Sequence, residues 1–179
     1  MKTATMISGH AITGEESPSN DGSALDALIA FYRAFNHADL EGLAASWAGG
    51  DLPSMDNPIG GIRRGWPSIR EGYATLFAGK STVRVELFDF SAQGGEEFFL
   101  FAGRERGTCV TPSGTVDLRI RTTRWFVRVG ASWRQIHHHG SIEEPALLCA
   151  QRYDARSAHG RGQRDPVRDD RADLHVRLH

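Results

Sequence analysis

The side chains best suited to chemistry are two arginines, Arg104 and Arg124, and the run His137-His138-His139, with Ser141 just beyond it. A guanidinium presents a planar fork that fits a carboxylate, an enolate or a similar oxyanion. An imidazole exchanges protons near neutral pH, and cations beside it favour its neutral, proton-accepting form. Alternate residues of a strand share a face, so His137 and His139 would point together, either as acid/base groups or as metal ligands. A metal site needs a third ligand, and no cysteine or HxxE partner stands at suitable spacing, so no metal is expected. Ser141 has no nucleophile-elbow motif around it, and Cys109 reads as an inert small residue. No glycine run has dinucleotide or phosphate-loop spacing, so no organic cofactor is expected.

Two turns decide which of these residues meet. Thr111-Pro112-Ser113-Gly114 suits a three-residue loop with Gly114 left-handed, which pairs Thr111 with Thr115 and sets Ala102 opposite Arg124. The turn at Gly130-Ala131 pairs Val129 with Ser132 and sets Arg124 opposite His137. Alternation then gathers Leu100, Ala102, Arg104, Leu118, Ile120, Thr122, Arg124, Phe126, His137, His139 and Ser141 on one mostly apolar face. Arg119, Arg121, Trp125, Arg134 and His138 fall on the other. The first face is expected to be concave and to form a ligand pocket. In the alternative, Arg104 and Arg124 pair with internal acids such as Asp56 or Glu86.

Those strands need helices to cover them. Ser23 caps a helix carrying Leu25, Leu28, Ile29, Tyr32 and Phe35 on one stripe. Asp39 caps a short helix with Leu40, Leu43, Ala44 and Trp47. Pro67 opens a third helix with Ile69, Tyr73, Leu76 and Phe77 inward. The Gly/Pro-rich passage between the second and third helices suits a short edge hairpin. After Lys80 the period changes to two, and 81–92, 96–109, 115–129 and 132–142 read as long strands. Helices followed by an antiparallel meander predict an α+β fold.

The chain has 179 residues, 40% hydrophobic and 24% charged, with a net charge of -1. That suits one globular domain and gives no basic field for nucleic acid. Residues 1–22 read as a flexible arm without a signal-peptide run, 23–150 as the domain, and 151–179 as a disordered tail dense in Arg, Asp and His. No stretch reaches membrane-spanning length. Cys109 and Cys149 are too few for a disulfide framework, which suits a reducing cytoplasm.

The run from Trp133 to Ser141, preceded by Thr123-Arg124, resembles the last strands of SnoaL-like and nuclear transport factor 2-like proteins. It is also similar to the association (hub) domain of calcium/calmodulin-dependent kinase, which ends T-R, then W, then H-x-H-x-S. This resemblance implies a cone-shaped, cystatin-like α+β fold, with three N-terminal helices packed on a curved, mainly antiparallel sheet. It also implies a pocket lined by the arginines at positions 104 and 124. The fold hosts both enzymes and assembly domains, so it does not fix an activity. Asp39-Leu-Glu-Gly-Leu43 and Asp56-Asn57-Pro58-Ile59-Gly60 resemble ketosteroid isomerase, whose catalytic aspartate precedes that proline. Here Asn57 stands in its place and Phe31 in place of the oxyanion-hole tyrosine, so that mechanism is not expected, and Asp56 is left as a displaced base.

The resulting expectation is a domain that binds a small, partly hydrophobic, anionic molecule, with Arg104, Arg124, Tyr32, Trp47 and Phe126 lining the pocket. The alternative is a cofactor-free dehydratase, isomerase or hydrolase with His137, His139 or Asp56 as base. Trp125 on the outer face predicts a homodimer that packs sheet against sheet.

Overall fold

Each helix starts where a capping residue or proline permits. The computed structural model describes residues 4–19 and 21–143. In chain order the elements are β1 (Ala4–Ser8), α1 (Ala24–Asn36), α2 (Leu40–Ser46), β2 (Ser54–Asp56), β3 (Ile62–Arg64), α3 (Trp66–Ala78), β4 (Thr82–Gly94), β5 (Phe98–Thr111), β6 (Gly114–Val129) and β7 (Ser132–Ile142). The Ser23 hydroxyl accepts the Asp26 N–H, and the Asp39 carboxylate accepts those of Glu41 and Gly42. α3 has proline in its first turn, where no N–H is needed.

The strands form one sheet in the order β1-β4-β5-β6-β7-β2-β3. Neighbours run antiparallel except β2 and β7, which are parallel. The 54–64 hairpin expected at an edge is β2–β3. The segment expected to be a loose arm instead supplies β1, paired along β4. Past β1, Ile12 exchanges backbone bonds with Leu87, and the Asn36 amide bonds both backbone groups of Val85. The open side of β4 is thereby satisfied in steps rather than left as a bare edge. Residues 151–179 lie outside the described residues, as does Cys149.

The helices cover one face of the sheet, here called inner. Leu28, Phe31, Leu43, Ile69, Leu87, Phe101 and Phe126 meet there, each at most 1% exposed. Within β6 the expected residues point inward: Leu118, Ile120, Thr122, Arg124 and Phe126 are all buried. Its two neighbours are turned over. The 111–114 turn has two central residues, pairing Thr111 with Gly114 rather than Thr115. The Thr111 hydroxyl closes it, accepting the Ser113 N–H and donating to the Gly114 carbonyl. That one-residue change puts Phe101 opposite Arg124 and Arg104 opposite Arg121, so Arg104 faces outward.

On the other side Val129 does pair with Ser132, but the register shifts between Trp125 and Phe126, leaving Ile136 as an extra residue in β7. Beyond this bulge Arg124 lies opposite His138 rather than His137. His138 therefore faces inward, while His137, His139 and Ser141 face outward.

Candidate functional site

On the inner face, Arg124 is the centre of a closed polar cluster. Its Nη2 donates to Glu105 Oε1 at 2.7 Å, its Nε to the Tyr32 hydroxyl at 3.0 Å and its Nη1 to Gln135 Oε1 at 3.2 Å. The Tyr32 hydroxyl donates to the same Glu105 oxygen at 2.6 Å. The guanidinium carbon lies 3.9 Å from the Phe31 ring centre and 5.0 Å from that of Tyr32, within cation–π range. Arg124 is 3% exposed and Tyr32 and Gln135 are fully buried, so this is an ion pair sealed among aromatic rings.

Glycines make room for it. Glu105 is flanked at alternate positions of β5 by Gly103 and Gly107. A Cβ on Gly103 would stand 2.4 Å from Phe90 Cβ, and one on Gly107 would collide with the Arg84 carbonyl. Only bare backbone at those points lets β4 fold close beside the acid.

The electrostatics follow from burial. Burial opposes the charge of Arg124, but Tyr32 and Glu105 outweigh it and hold the guanidinium above its ordinary pKa. Burial drives the Tyr32 phenol well above the usual range, with Arg124 opposing and Glu105 reinforcing. Burial likewise pushes the Tyr73 phenol up to about 12 against the pull of Arg124. His138 is held well below the ordinary imidazole value, first by burial and then by the charge of Arg124 opposite it. It is neutral.

Three buried side-chain atoms around this cluster make no hydrogen bond of good geometry: Trp47 Nε1, which has the Tyr73 hydroxyl near it, Gln135 Nε2 and His138 Nδ1. The residues that carry them belong to one region of the sheet. Trp47 bridges Gln135 in parallel register, and its Ala48 amide bonds the Gln135 carbonyl. Gln135 and His138 flank Arg124 along β7. The other ring nitrogen of His138 bonds the Thr122 hydroxyl at 3.2 Å. Met55, opposite His138 on β2, and the Trp66 ring, 6.5 Å from Trp47, supply apolar walls, while the Tyr73 hydroxyl lies near the Trp47 side chain and Arg124.

The cluster thus contains three of the residues expected in the pocket, Arg124, Tyr32 and Trp47, while Phe126 follows Arg124 in the inward row of β6 and packs on Phe101. Arg104, His137, His139 and Asp56 lie instead on the outer face. Arg104 is half exposed and bridges Asp89 at 3.2 Å and Glu143 at 3.0 Å. In place of Asp56 or Glu86, the acids of the alternative reading, the two arginines take these partners and Glu105; Glu86 bonds Arg106. His137 Nδ1 meets the Ser54 hydroxyl at 2.8 Å, and His139 Nδ1 meets Asp56 at 3.2 Å. Asp56 is therefore not a displaced base in the cone. Asn57 lies in the tight β2–β3 turn, where its side chain accepts the Ile59 N–H.

Sequence reasoning missed Glu105, Gln135 and His138. The alternation Phe101-Gly103-Glu105-Gly107 held a usable signal, since glycines on both sides of an acid suit a crowded inner face better than a solvated one. Two surface grooves of about 520 Å3 each, one between α1 and α2 and one around Gly107, include no residue of the Arg124 cluster. Among the described residues, no three or more His, Cys, Asp or Glu side chains are placed to hold a metal ion, and no helix is long and apolar enough to cross a membrane.

Comparison with known proteins agrees with this architecture. A candidate dehydratase of the nuclear transport factor 2-like family from Streptomyces avermitilis aligns with a TM-score of 0.60 at 22% identity, covering 66% of this chain and 91% of that one. A candidate calcium/calmodulin-dependent protein kinase type II association domain from Thiobacillus denitrificans gives 0.57 at 22%, covering 68% and 96%. A protein with a cystatin-like fold from Caulobacter vibrioides gives 0.55 at 25%, covering 74% and 96%. These likenesses bear out the cone fold and the resemblance to association domains. No curated protein matches the chain. The SnoaL-like domain family model matches residues 25–145, more than half of the sequence, so the chain belongs to the SnoaL-like domain family.

Proposed function

We propose that this domain binds a small, partly hydrophobic molecule bearing an oxygen acceptor, a carboxylate in the simplest case, beside Arg124 in the cone. The observation that carries this reading is the set of buried atoms without a hydrogen bond of good geometry, Trp47 Nε1, Gln135 Nε2 and His138 Nδ1. A buried polar group left unpaired costs about 1–3 kcal/mol. A ligand oxygen accepting from Trp47 and Gln135, in place of the Tyr73 hydroxyl near Trp47, recovers that cost, while Met55 and Trp66 suit a hydrocarbon portion. Glu105 already offsets the charge of Arg124, so donor placement contributes more to recognition than net charge. Thermal-shift screening against small carboxylic acids tests the reading. A hit should stabilise the wild type, and Trp47→Phe, which keeps a ring but removes the N–H, should weaken it ~10-fold. Equal binding by Trp47→Phe would contradict it.

The orientation of His138 supports a second reading: cofactor-free acid/base chemistry of the dehydratase or isomerase kind. A neutral imidazole beside two donors without good hydrogen bonds is the arrangement that removes a proton next to a carbonyl while its oxygen gains charge. Conversion of a bound acid, lost in His138→Phe, favours catalysis; stabilisation without conversion favours binding. On the outer face Trp125 is 42% exposed beside Leu100 and Val127. This patch supports a sheet-to-sheet homodimer, which a monomer at micromolar concentration in light scattering would refute.

A further inference from the structure

The Arg124 cluster is sealed, so a ligand reaches it only if part of the wall moves. One stretch of chain is built differently from the rest. β2, β3 and α3 are bound tightly to one another: Arg63 donates to the Ser68 carbonyl at 2.8 Å and pairs with Glu71 at 3.6 Å, and the Gly65 amide bonds the Pro53 carbonyl at 2.8 Å. Their attachment to the sheet is slight by comparison. β2 shares three ladder pairs with β7, against fourteen between β5 and β6. The unit is bounded by glycines: Gly49 and Gly50 before it, where an added Cβ would meet nothing within 4 Å, and Gly79 after α3. It carries Met55, Trp66, Ile69 and Tyr73, which close the side of the cone next to Trp47, Gln135 and His138.

We propose that residues 51–78 form the door of the cone, hinged at Gly49-Gly50 and Gly79, with the outer-face bonds Ser54–His137 and Asp56–His139 as its latch. These two bonds are the side-chain hydrogen bonds joining β2 to β7, and they lie at consecutive outward positions of the short ladder. The remaining ties are the Trp47 ring contacts with Trp66 and Tyr73, the Phe35 contacts with Tyr73 and Phe77, the core packing of Met55 and Ile69, and the exposed Arg70–Glu41 pair. A unit that coheres internally but is joined to the sheet by few hydrogen bonds opens below the global unfolding free energy. The imidazoles expected in the pocket thus act from its outer side, as fasteners.

The inference rests on the ligand reading for its purpose but not for its test, which uses the full chain without ligand. Amide hydrogen exchange should show 54–64 and α3 exchanging ~10-fold or more faster than the β5–β6 ladder. The double substitution His137→Ala, His139→Ala should accelerate 51–78 and the Trp47 indole proton by a further ~10-fold while β5–β6 keeps its rate. Exchange in 51–78 as slow as in β5–β6, or equal acceleration of the whole sheet, would overturn the door. Should the double variant fail to fold, the contrast within the wild type still decides. A door that opens in a protein that answers no carboxylic acid would sink the ligand reading and leave this one standing.

Discussion

Arg124 and Arg104 belong to neighbouring strands, and each is bonded to a carboxylate, yet they serve different ends. Arg124 and Glu105 are 3% and 4% exposed, whereas Arg104 and Asp89 are 52% and 65% exposed. In water a pair like the outer one contributes little, because solvent competes for both charges. In the sealed interior each charge depends on its partner, so the inner pair fixes the geometry around Trp47, Gln135 and His138. The histidines divide in the same way. His138 is buried and neutral with one nitrogen unused, while its neighbours each bond a polar side chain of β2. Burial, more than residue type, separates a candidate binding site from surface stapling.

The contrast can be broken most forcefully at Glu105. Glu105→Ala should lose about 3–5 kcal/mol in urea unfolding, since it strands a buried guanidinium. Tyr32→Phe removes one donor to Glu105 and one acceptor for Arg124, and should lose about 1–3 kcal/mol by the same measurement.

His138 sharpens the contrast through pH. Its folded pKa lies below the unfolded value of about 6.5, so above that pH it is neutral in both states and adds no slope. As pH falls below about 6.5 the unfolded chain binds a proton that the folded chain refuses, and stability should drop by up to about 1.4 kcal/mol per unit. Unfolding series from pH 7 to 5 should show this slope reduced in His138→Phe; equal slopes would remove the assigned burial. The smallest effect is expected at Arg104, where alanine should change stability by less than about 1 kcal/mol.

Much of the fold was legible before any coordinates. Ser23, Asp39 and Pro67 mark helix starts because caps and prolines act locally, and the change to a period of two after Lys80 marks the meander. The inward row of β6 was also readable, because Leu118, Ile120 and Phe126 fix its phase. Its neighbours were not, because register depends on single local bonds that pattern does not record. One hydroxyl, that of Thr111, shortens a turn, and one extra residue, Ile136, bulges a strand; each reverses every side chain beyond it. Three consecutive histidines carry no phase of their own, so nothing in that run signals that the middle one turns inward. β1 was not legible for a related reason: it forms by pairing with β4 rather than through its own composition.

The chain has four tryptophans, so the central claim can be read from four indole signals. In a nitrogen-15 NMR titration with a stabilising carboxylic acid, the Trp47 indole proton should move downfield as Nε1 gains an acceptor, with the Trp125 signal unmoved. Saturable binding that leaves the Trp47 signal in place would contradict the proposed site.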